Sequence, residues 1–106
     1  MTDCIFCQII AKTLPAKIIY EDEEMIAFHD IHPKAQIHFI VIPKLHIESM
    51  LELKQHHTNM IGKIMVNANI IAKEQGLTGY KVHINTGVAG GQEVFHLHVH
   101  ILGNKE

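Results

Sequence analysis

Several residue types and patterns are scarce in this chain. Tryptophan is absent from the 106 residues, cysteine occurs twice, and Asp, Glu, Lys and Arg together make up only 19 %. Nine basic against eleven acidic side chains give a formal net charge of −2, so there is no basic field of the kind that holds a nucleic-acid backbone. No apolar run approaches the ~20 residues of a membrane-spanning helix. The sequence therefore predicts neither nucleic-acid binding nor a membrane protein.

The amino-terminal residues also lack the basic stretch and apolar run of a secretory leader. We therefore expect a cytoplasmic protein. In that compartment, two cysteines at this spacing indicate metal or redox chemistry rather than a structural disulfide. Hydrophobic residues make up 47 % of the chain, enough for a buried core. The length suits one domain, over residues 1–106, and a partner copy would add apolar burial that so small a domain lacks.

The apolar patterning predicts an α+β fold with an antiparallel sheet, because strands precede and follow one long helix. Apolar residues recur every three or four positions from Met60 to Ala72, and Gly76 follows where a helix C-cap is expected. Ser49 and Glu52 have the spacing of a capping box at the start of this helical region. A short helix is predicted over residues 5–11, and strands over 18–20, 25–28, 37–42, 80–84 and 95–102.

The last predicted strand carries three histidines in strict alternation. Because strand side chains alternate between faces, His96, His98 and His100 are predicted to share one face while the apolar residues between them enter the core. A solvated face is the alternative, but such faces usually mix Thr, Lys, Glu and Ser. Alternate residues of a strand are ~6.6 Å apart, so two neighbours could share one metal ion but all three could not.

Another role for these histidines is nucleophilic catalysis. A neutral imidazole can attack phosphorus covalently, and it does so best when an acceptor fixes its other ring nitrogen. The loop before the strand, residues 87–92, contains glycines that let backbone N–H groups approach an anion, and Gln92 offers one more donor. An ordinary β-turn is the alternative for this loop. Together the two elements predict phosphate chemistry at this histidine row.

The cysteine pair Cys4 and Cys7 has the two-residue gap of many zinc ligands, but structural zinc needs four ligands. A redox dithiol is the alternative, although no βαβ pattern follows the pair as it does in thioredoxin-like folds.

Four separated segments resemble the histidine triad superfamily, and within it the Hint branch, over nearly the whole chain. They are CIFCQII at 4–10, AFHDI at 27–31, HFIVIPK at 38–44 with His46, and GGQEVFHLHVHILG at 90–103. The resemblance implies a five-stranded antiparallel sheet with one short and one long helix. It also implies a homodimer that joins two such sheets across the long helix and the strand preceding the glycine loop.

The resemblance also implies a mechanism and its residues. His98 is expected to attack the α-phosphorus of a nucleoside monophosphate unit, forming a nucleotidyl-histidine that water then hydrolyses, with His38 and His100 polarising the site and His96 completing the row. A purine nucleotide resembling AMP or GMP is the implied ligand. Base, ribose and phosphate are expected to contact these residues: Phe6, Ile9, Phe28, Asp30, Ile31, Asn85, Gly91, Gln92, Glu93, His98 and His100.

For the cysteine pair, the resemblance implies a structural zinc ion completed by His46 and His96, with no organic cofactor. Glu93 departs from the better-known animal Hint proteins, which have serine there; a carboxylate beside a phosphate would repel it unless turned away or protonated. The implied activity is a purine nucleoside phosphoramidase or related nucleotidyl hydrolase. The alternatives are a dinucleoside polyphosphate hydrolase, a nucleotide-binding interaction protein with incidental activity, and a zinc-binding structural module.

Overall fold

The computed structural model describes residues 3–106; Met1 and Thr2, the first two residues of the predicted domain, lie outside the described residues. Five strands form one antiparallel sheet in the order β1-β2-β3-β5-β4. The strands are β1 (Ile18–Glu21), β2 (Met25–His29), β3 (Ile37–Pro43), β4 (Lys81–His83) and β5 (Val99–Gly103). A short helix, α1 (Ile5–Ile10), and a long one, α2 (Thr58–Glu74), complete the predicted α+β fold.

The inner strands β2 and β3 are buried on both faces, because one helix covers each face of the sheet. On one face α2 contributes Ile64, Ala68, Ile71 and Ala72, which lie on one side of the helix at the predicted spacing. On the other face α1 packs Phe6 and Ile9 against β2 and β3. The site histidines lie on the α1 face, since the Phe6 ring contacts the rings of both His96 and His98. No helix within residues 3–106 is long and apolar enough to cross a membrane.

The long helix begins later than the capping signal at Ser49 predicted. Ser49 does act as a cap, because its hydroxyl accepts the Leu51 N–H at 3.1 Å, but it caps a turn of 3-10 helix at Met50–Glu52. A second such turn, Gln55–His57, leads into α2. The predicted end is confirmed: Gly76 has φ +90°, which the absence of a Cβ permits, and the Leu77 N–H returns to the Ala72 carbonyl.

The last strand is shorter than predicted, because β5 begins at Val99 and residues 95–98 are not part of it. The ladder with β3 starts where Val99 pairs with Val41. Before that point the Leu97 N–H donates instead to the Ile47 carbonyl at 2.7 Å. Of the three histidines, His100 alone lies in a strand, and the row is bent rather than extended.

Candidate active site and metal centre

A cleft of about 380 Å³ opens between α1, the end of β2 and the loop that precedes β5. Its volume is within the range of small-molecule sites, ~300–1,000 Å³. Ten of the eleven residues predicted to contact a nucleotide line it: Phe6, Ile9, Phe28, Asp30, Ile31, Asn85, Gly91, Glu93, His98 and His100. These ten residues bring together an apolar end, two carboxylates and two imidazoles. Ile31 is 83 % exposed at the rim.

Gln92, the eleventh, does not line the cleft. Its buried side-chain amide donates to the carbonyls of Glu48 and Val94 at 2.6 and 3.0 Å, and its Oε1 accepts the Gly87 N–H at 2.8 Å. The structure thus assigns Gln92 to holding the glycine loop, not to donating to a ligand as the sequence suggested. Gly87 and Gly91 in that loop have φ of +73° and +81°, the left-handed region that favours glycine.

His98 is buried, and a single hydrogen bond fixes its tautomer. Its Nδ1 lies 2.7 Å from the main-chain carbonyl oxygen of His96, which can only accept, so Nδ1 carries the proton. The lone pair of the neutral ring is therefore on Nε2. The Phe6 ring meets His98 edge-on, with 5.0 Å between ring centroids, and orients it further.

A second hydrogen-bonded chain joins His38, on β3, to His100, on β5. The main-chain N–H of Lys34 donates to His38 Nδ1 at 3.1 Å, so a neutral His38 carries its proton on Nε2. This Nε2–H lies 3.0 Å from His100 Nδ1 and 3.4 Å from Oδ2 of Asp30. His100 Nδ1 can accept the hydrogen bond from His38 Nε2–H. The proton of a neutral His100 is then on its own Nε2.

The electrostatic environment keeps these imidazoles neutral. Burial lowers the pKa of His38 and of His98 below the ordinary histidine value, and the nearby Asp30 charge opposes this only in part. The pKa of His100 falls to about 4 because of burial and the adjacent His98 and His38 rings. At neutral pH the lone pairs derived above are therefore present.

Asp30 closes a turn and also lines the cleft. Its Oδ1 accepts the His32 N–H at 2.7 Å, which closes a turn at the end of β2. Its Oδ2 lies on the His38 side, and the carboxylate remains on the wall of the cleft. Each oxygen has a second lone pair, so the turn does not exhaust its capacity to accept.

Beside the cleft, four potential metal ligands converge. Cys4, Cys7, His46 and His96 each place one ligand atom within 4.8 Å of all the others. Cys4 Sγ lies 3.3 Å from His96 Nδ1, and Cys7 Sγ lies 3.2 Å from His46 Nδ1. Cys4 is the N-cap of α1, and its sulfur also accepts the Cys7 N–H. Burial is the main cause that raises the pKa of Cys7, to about 11, and the neighbouring Cys4 side chain raises it further.

The tautomer of His96 suits metal binding. Its Nε2 lies 2.8 Å from the Pro43 carbonyl oxygen and so carries the proton, which leaves Nδ1 bare and aimed at the sulfurs. In zinc sites, a ligating histidine usually donates its other ring N–H to a carbonyl or carboxylate oxygen. Two thiols and two imidazoles also form a normal structural zinc set. The donor set therefore fits zinc.

A second cluster, Asp30, His38 and His100, also brings its potential ligand atoms within 4.8 Å of one another, but the His38 nitrogen that faces it is the protonated one. His38 receives the Lys34 N–H on Nδ1, so the nitrogen facing the cluster, Nε2, carries a proton and offers no lone pair to a metal. Main-chain partners thus leave a lone pair facing the cysteine cluster and a proton facing the cluster around Asp30.

Sequence reasoning could not identify the main-chain partners that set these tautomers, namely the Lys34 N–H and the carbonyls of Pro43 and His96. It also missed some lining residues of the cleft. These are Ile5, Leu14, Pro15, Ala16, His29, His32, Ile40 and Val94. Several follow α1 in a segment whose apolar residues indicated no more than a loop.

Comparisons with known proteins identify the family. The sequence profile described as "Scavenger mRNA decapping enzyme C-term binding" matches residues 3–106. Protein HitA of Neisseria gonorrhoeae is 52 % identical over 104 residues, 97 % of each chain. A HIT family hydrolase from Legionella pneumophila has a crystal structure that matches with a TM-score of 0.94 at 36 % identity, covering 98 % of this chain and 95 % of that one. This chain belongs to the histidine triad family.

Another relative is named for zinc binding. A "14 kDa zinc-binding protein" of Zea mays is 40 % identical over 105 residues, 96 % of this chain and 82 % of its own. The five-stranded antiparallel sheet and helices of this histidine triad protein agree with the fold of the Legionella relative across nearly the full chain.

Proposed function

We propose that this histidine triad protein is a nucleotide-binding hydrolase that acts on purine nucleoside phosphoramidates or related nucleotidyl conjugates. The observation that carries the proposal is the hydrogen bond from His98 Nδ1 to the His96 carbonyl, which leaves the Nε2 lone pair of a buried imidazole in the cleft. Nε2 attacks the α-phosphorus, the bond from phosphorus to the leaving nitrogen or oxygen breaks, and a nucleotidyl-His98 forms. Water then attacks the same phosphorus and releases the monophosphate and His98.

The rest of the cleft fits the other parts of a nucleotide. Phe6, Ile9 and Phe28 form its apolar end, where a purine base would be buried. Asp30 would accept hydrogen bonds from ribose hydroxyls, and Gly91 with Asn85 lies on the phosphate side. The protein has no basic cluster here, so the phosphate would be bound by neutral N–H donors.

His100 and His38 would stabilise charge that develops on the phosphate. The chain from the Lys34 N–H through His38 to His100 leaves the His100 Nε2–H as a donor in the cleft. Because both rings are held before substrate binds, no reorganisation is needed as the charge grows.

We also propose that Cys4, Cys7, His46 and His96 hold one structural zinc ion. The converging ligand atoms and the bare Nδ1 of His96 support it. Bound there, the ion would tie the start of α1 to the segments that follow β3 and precede β5. Metal analysis of the purified protein against Cys4→Ser tests this, and a parent protein without metal would contradict it.

A homodimer is proposed as the assembly. β4 lies at the edge of the sheet, with Val82 half exposed, and Val66 and Ile70 are exposed on α2. Pairing two copies across β4 and α2 would join the sheets and cover these side chains. Light scattering should give twice the chain mass, and Val82→Lys should shift the protein toward the monomer.

Turnover separates the enzyme hypotheses. Hydrolysis of an adenosine phosphoramidate is expected to be faster than hydrolysis of diadenosine tetraphosphate; the reverse order would favour a dinucleoside polyphosphate hydrolase. A protein that binds AMP tightly but turns over neither compound would be an interaction protein.

A further inference from the structure

The metal centre and the nucleotide cleft share structural elements. Phe6 lies between the two cysteines in α1 and lines the cleft, where its ring contacts His98, Phe28 and His96 at centroid distances of 5.0, 5.6 and 5.9 Å. The side chain of His96 faces the cysteine sulfurs while its carbonyl holds His98. The nucleotide cleft therefore depends on His96, a proposed zinc ligand, and the cysteine segment carries Phe6, which lines the cleft.

Helix α1 is the weaker of the shared elements. It has six residues, fewer than the ~12–15 at which isolated helices are even marginal, so its position depends on tertiary contacts. On one side it packs against the core through Phe6 and Ile9. On the other its two sulfurs approach His46 and His96, contacts that become strong bonds only when a metal replaces the thiol protons.

We propose that zinc and the nucleotide bind cooperatively, with α1 and His96 carrying the coupling between the two sites. The inference rests on the proposed nucleotide and zinc sites. Zinc holds α1 in the position where Phe6 and Ile9 form the base-binding end, so the bound nucleotide no longer has to restrict that helix. Since coupling free energies are reciprocal, the nucleotide must raise zinc affinity by the same factor as zinc raises nucleotide affinity.

The experiment measures both halves of this cycle with AMP and Zn²⁺ as probes. Isothermal titration is expected to give an AMP Kd about tenfold higher for zinc-free than for zinc-loaded protein. Competition with a chelator is expected to give a zinc Kd lower by the same factor when AMP is saturating. Equal AMP affinity in the two forms overturns the cooperativity while leaving the nucleotide site intact. Absence of AMP binding to zinc-loaded protein rejects the nucleotide site itself, and this inference with it.

Variants locate the coupling. His46 is a proposed zinc ligand outside the nucleotide cleft, so His46→Ala should weaken AMP binding at limiting zinc and recover at high zinc. His56→Ala, at an exposed histidine outside both sites, is the matched control. Phe6→Leu should bring the ratio of the two AMP affinities closer to one, and an unchanged ratio would contradict a coupling through this ring. A zinc-free protein that loses its far-UV circular dichroism would also contradict it, because the coupling would then be global unfolding.

Discussion

The Nδ1 atom of His98 lies 2.7 Å from the main-chain carbonyl oxygen of His96, while the His96 ring itself donates to the Pro43 carbonyl at 2.8 Å. One residue thus fixes the proton of the proposed nucleophile through its backbone and faces a cysteine pair through its side chain. The free nitrogens that result, Nε2 of His98 and Nδ1 of His96, point to different chemistry. This division explains how adjacent members of one histidine row can serve two sites.

Substitutions at His38 test the proton relay. Asn can replace the acceptor Nδ1, whereas Gln can replace the donor Nε2–H that faces His100. We expect His38→Asn to lower kcat roughly a hundredfold with AMP affinity little changed, because a positioned proton donor is lost. His38→Gln should retain more activity. Steady-state kinetics and AMP titration check this, with His56→Gln as the control. An order in which Asn is the more active would contradict the assigned direction of the relay.

The depressed pKa of His100 predicts how stability depends on pH. Its pKa is about 4 in the folded protein, well below the ordinary value near 6.5. Between these values the unfolded chain binds a proton that the native state does not, so the free energy of unfolding falls as pH falls. One such histidine contributes at most about 1.4 kcal/mol per pH unit.

Urea unfolding at pH 7, 6 and 5 measures this slope. The parent should lose stability toward pH 5, and His100→Asn should lose it less steeply. The exposed His56→Asn should follow the parent. Identical slopes for parent and His100→Asn would show that burial of this imidazole does not control the effect.

The sheet and long helix could be predicted because their apolar spacing is local and strong. Ile64, Ala68, Ile71 and Ala72 repeat with the helical period, and β3 is apolar from Phe39 to Pro43. The start of β5 could not be predicted, since His96-Leu97-His98 alternates as a strand does. Its backbone is diverted by a non-local bond from Leu97 to Ile47.

The candidate site could be predicted in composition but not in proton placement. Ten of the eleven residues that the family resemblance implied for nucleotide binding line one cleft, and their roles stay predictions. Gln92 was assigned to the ligand, but its amide satisfies the backbone groups of Gly87, Val94 and the distant Glu48, which only the folded geometry reveals. The tautomers likewise depend on main-chain carbonyl and N–H groups. Because nearly every residue has these groups, the sequence does not show which of them meets a given histidine.

The ring nitrogens that face the two clusters predict one zinc ion per chain. Nδ1 of His96 is bare, whereas Nε2 of His38 carries a proton and cannot ligate without losing the Lys34 hydrogen bond. Elemental analysis should therefore give one zinc in the parent and in Asp30→Asn, and much less in Cys7→Ser. Two ions per parent chain, or loss of zinc in Asp30→Asn, would contradict this prediction, because the cluster of Asp30, His38 and His100 would then hold metal.

Glu93 predicts a preference among leaving groups. It is exposed and lines both the cleft and an adjoining hollow that contains Asp3 and His46. Two like charges ~4 Å apart in water repel by about 1 kcal/mol, so Glu93→Gln should improve turnover of an anionic leaving group up to roughly fivefold.

The ratio of kcat/KM for diadenosine tetraphosphate and adenosine phosphoramidate measures this preference. It should rise in Glu93→Gln, stay unchanged in the control Glu74→Gln on α2, and differ less at high salt. A ratio that does not change would mean that the carboxylate is turned away from the leaving group.

A covalent intermediate on His98 is the central claim, and rapid-quench mass spectrometry tests it most directly. Parent protein mixed with an adenosine phosphoramidate and quenched should carry an adenylyl group on the peptide that contains His98. His98→Asn should form no adduct and turn over at least about a thousandfold more slowly. Turnover of His98→Asn at the parent rate would contradict the account.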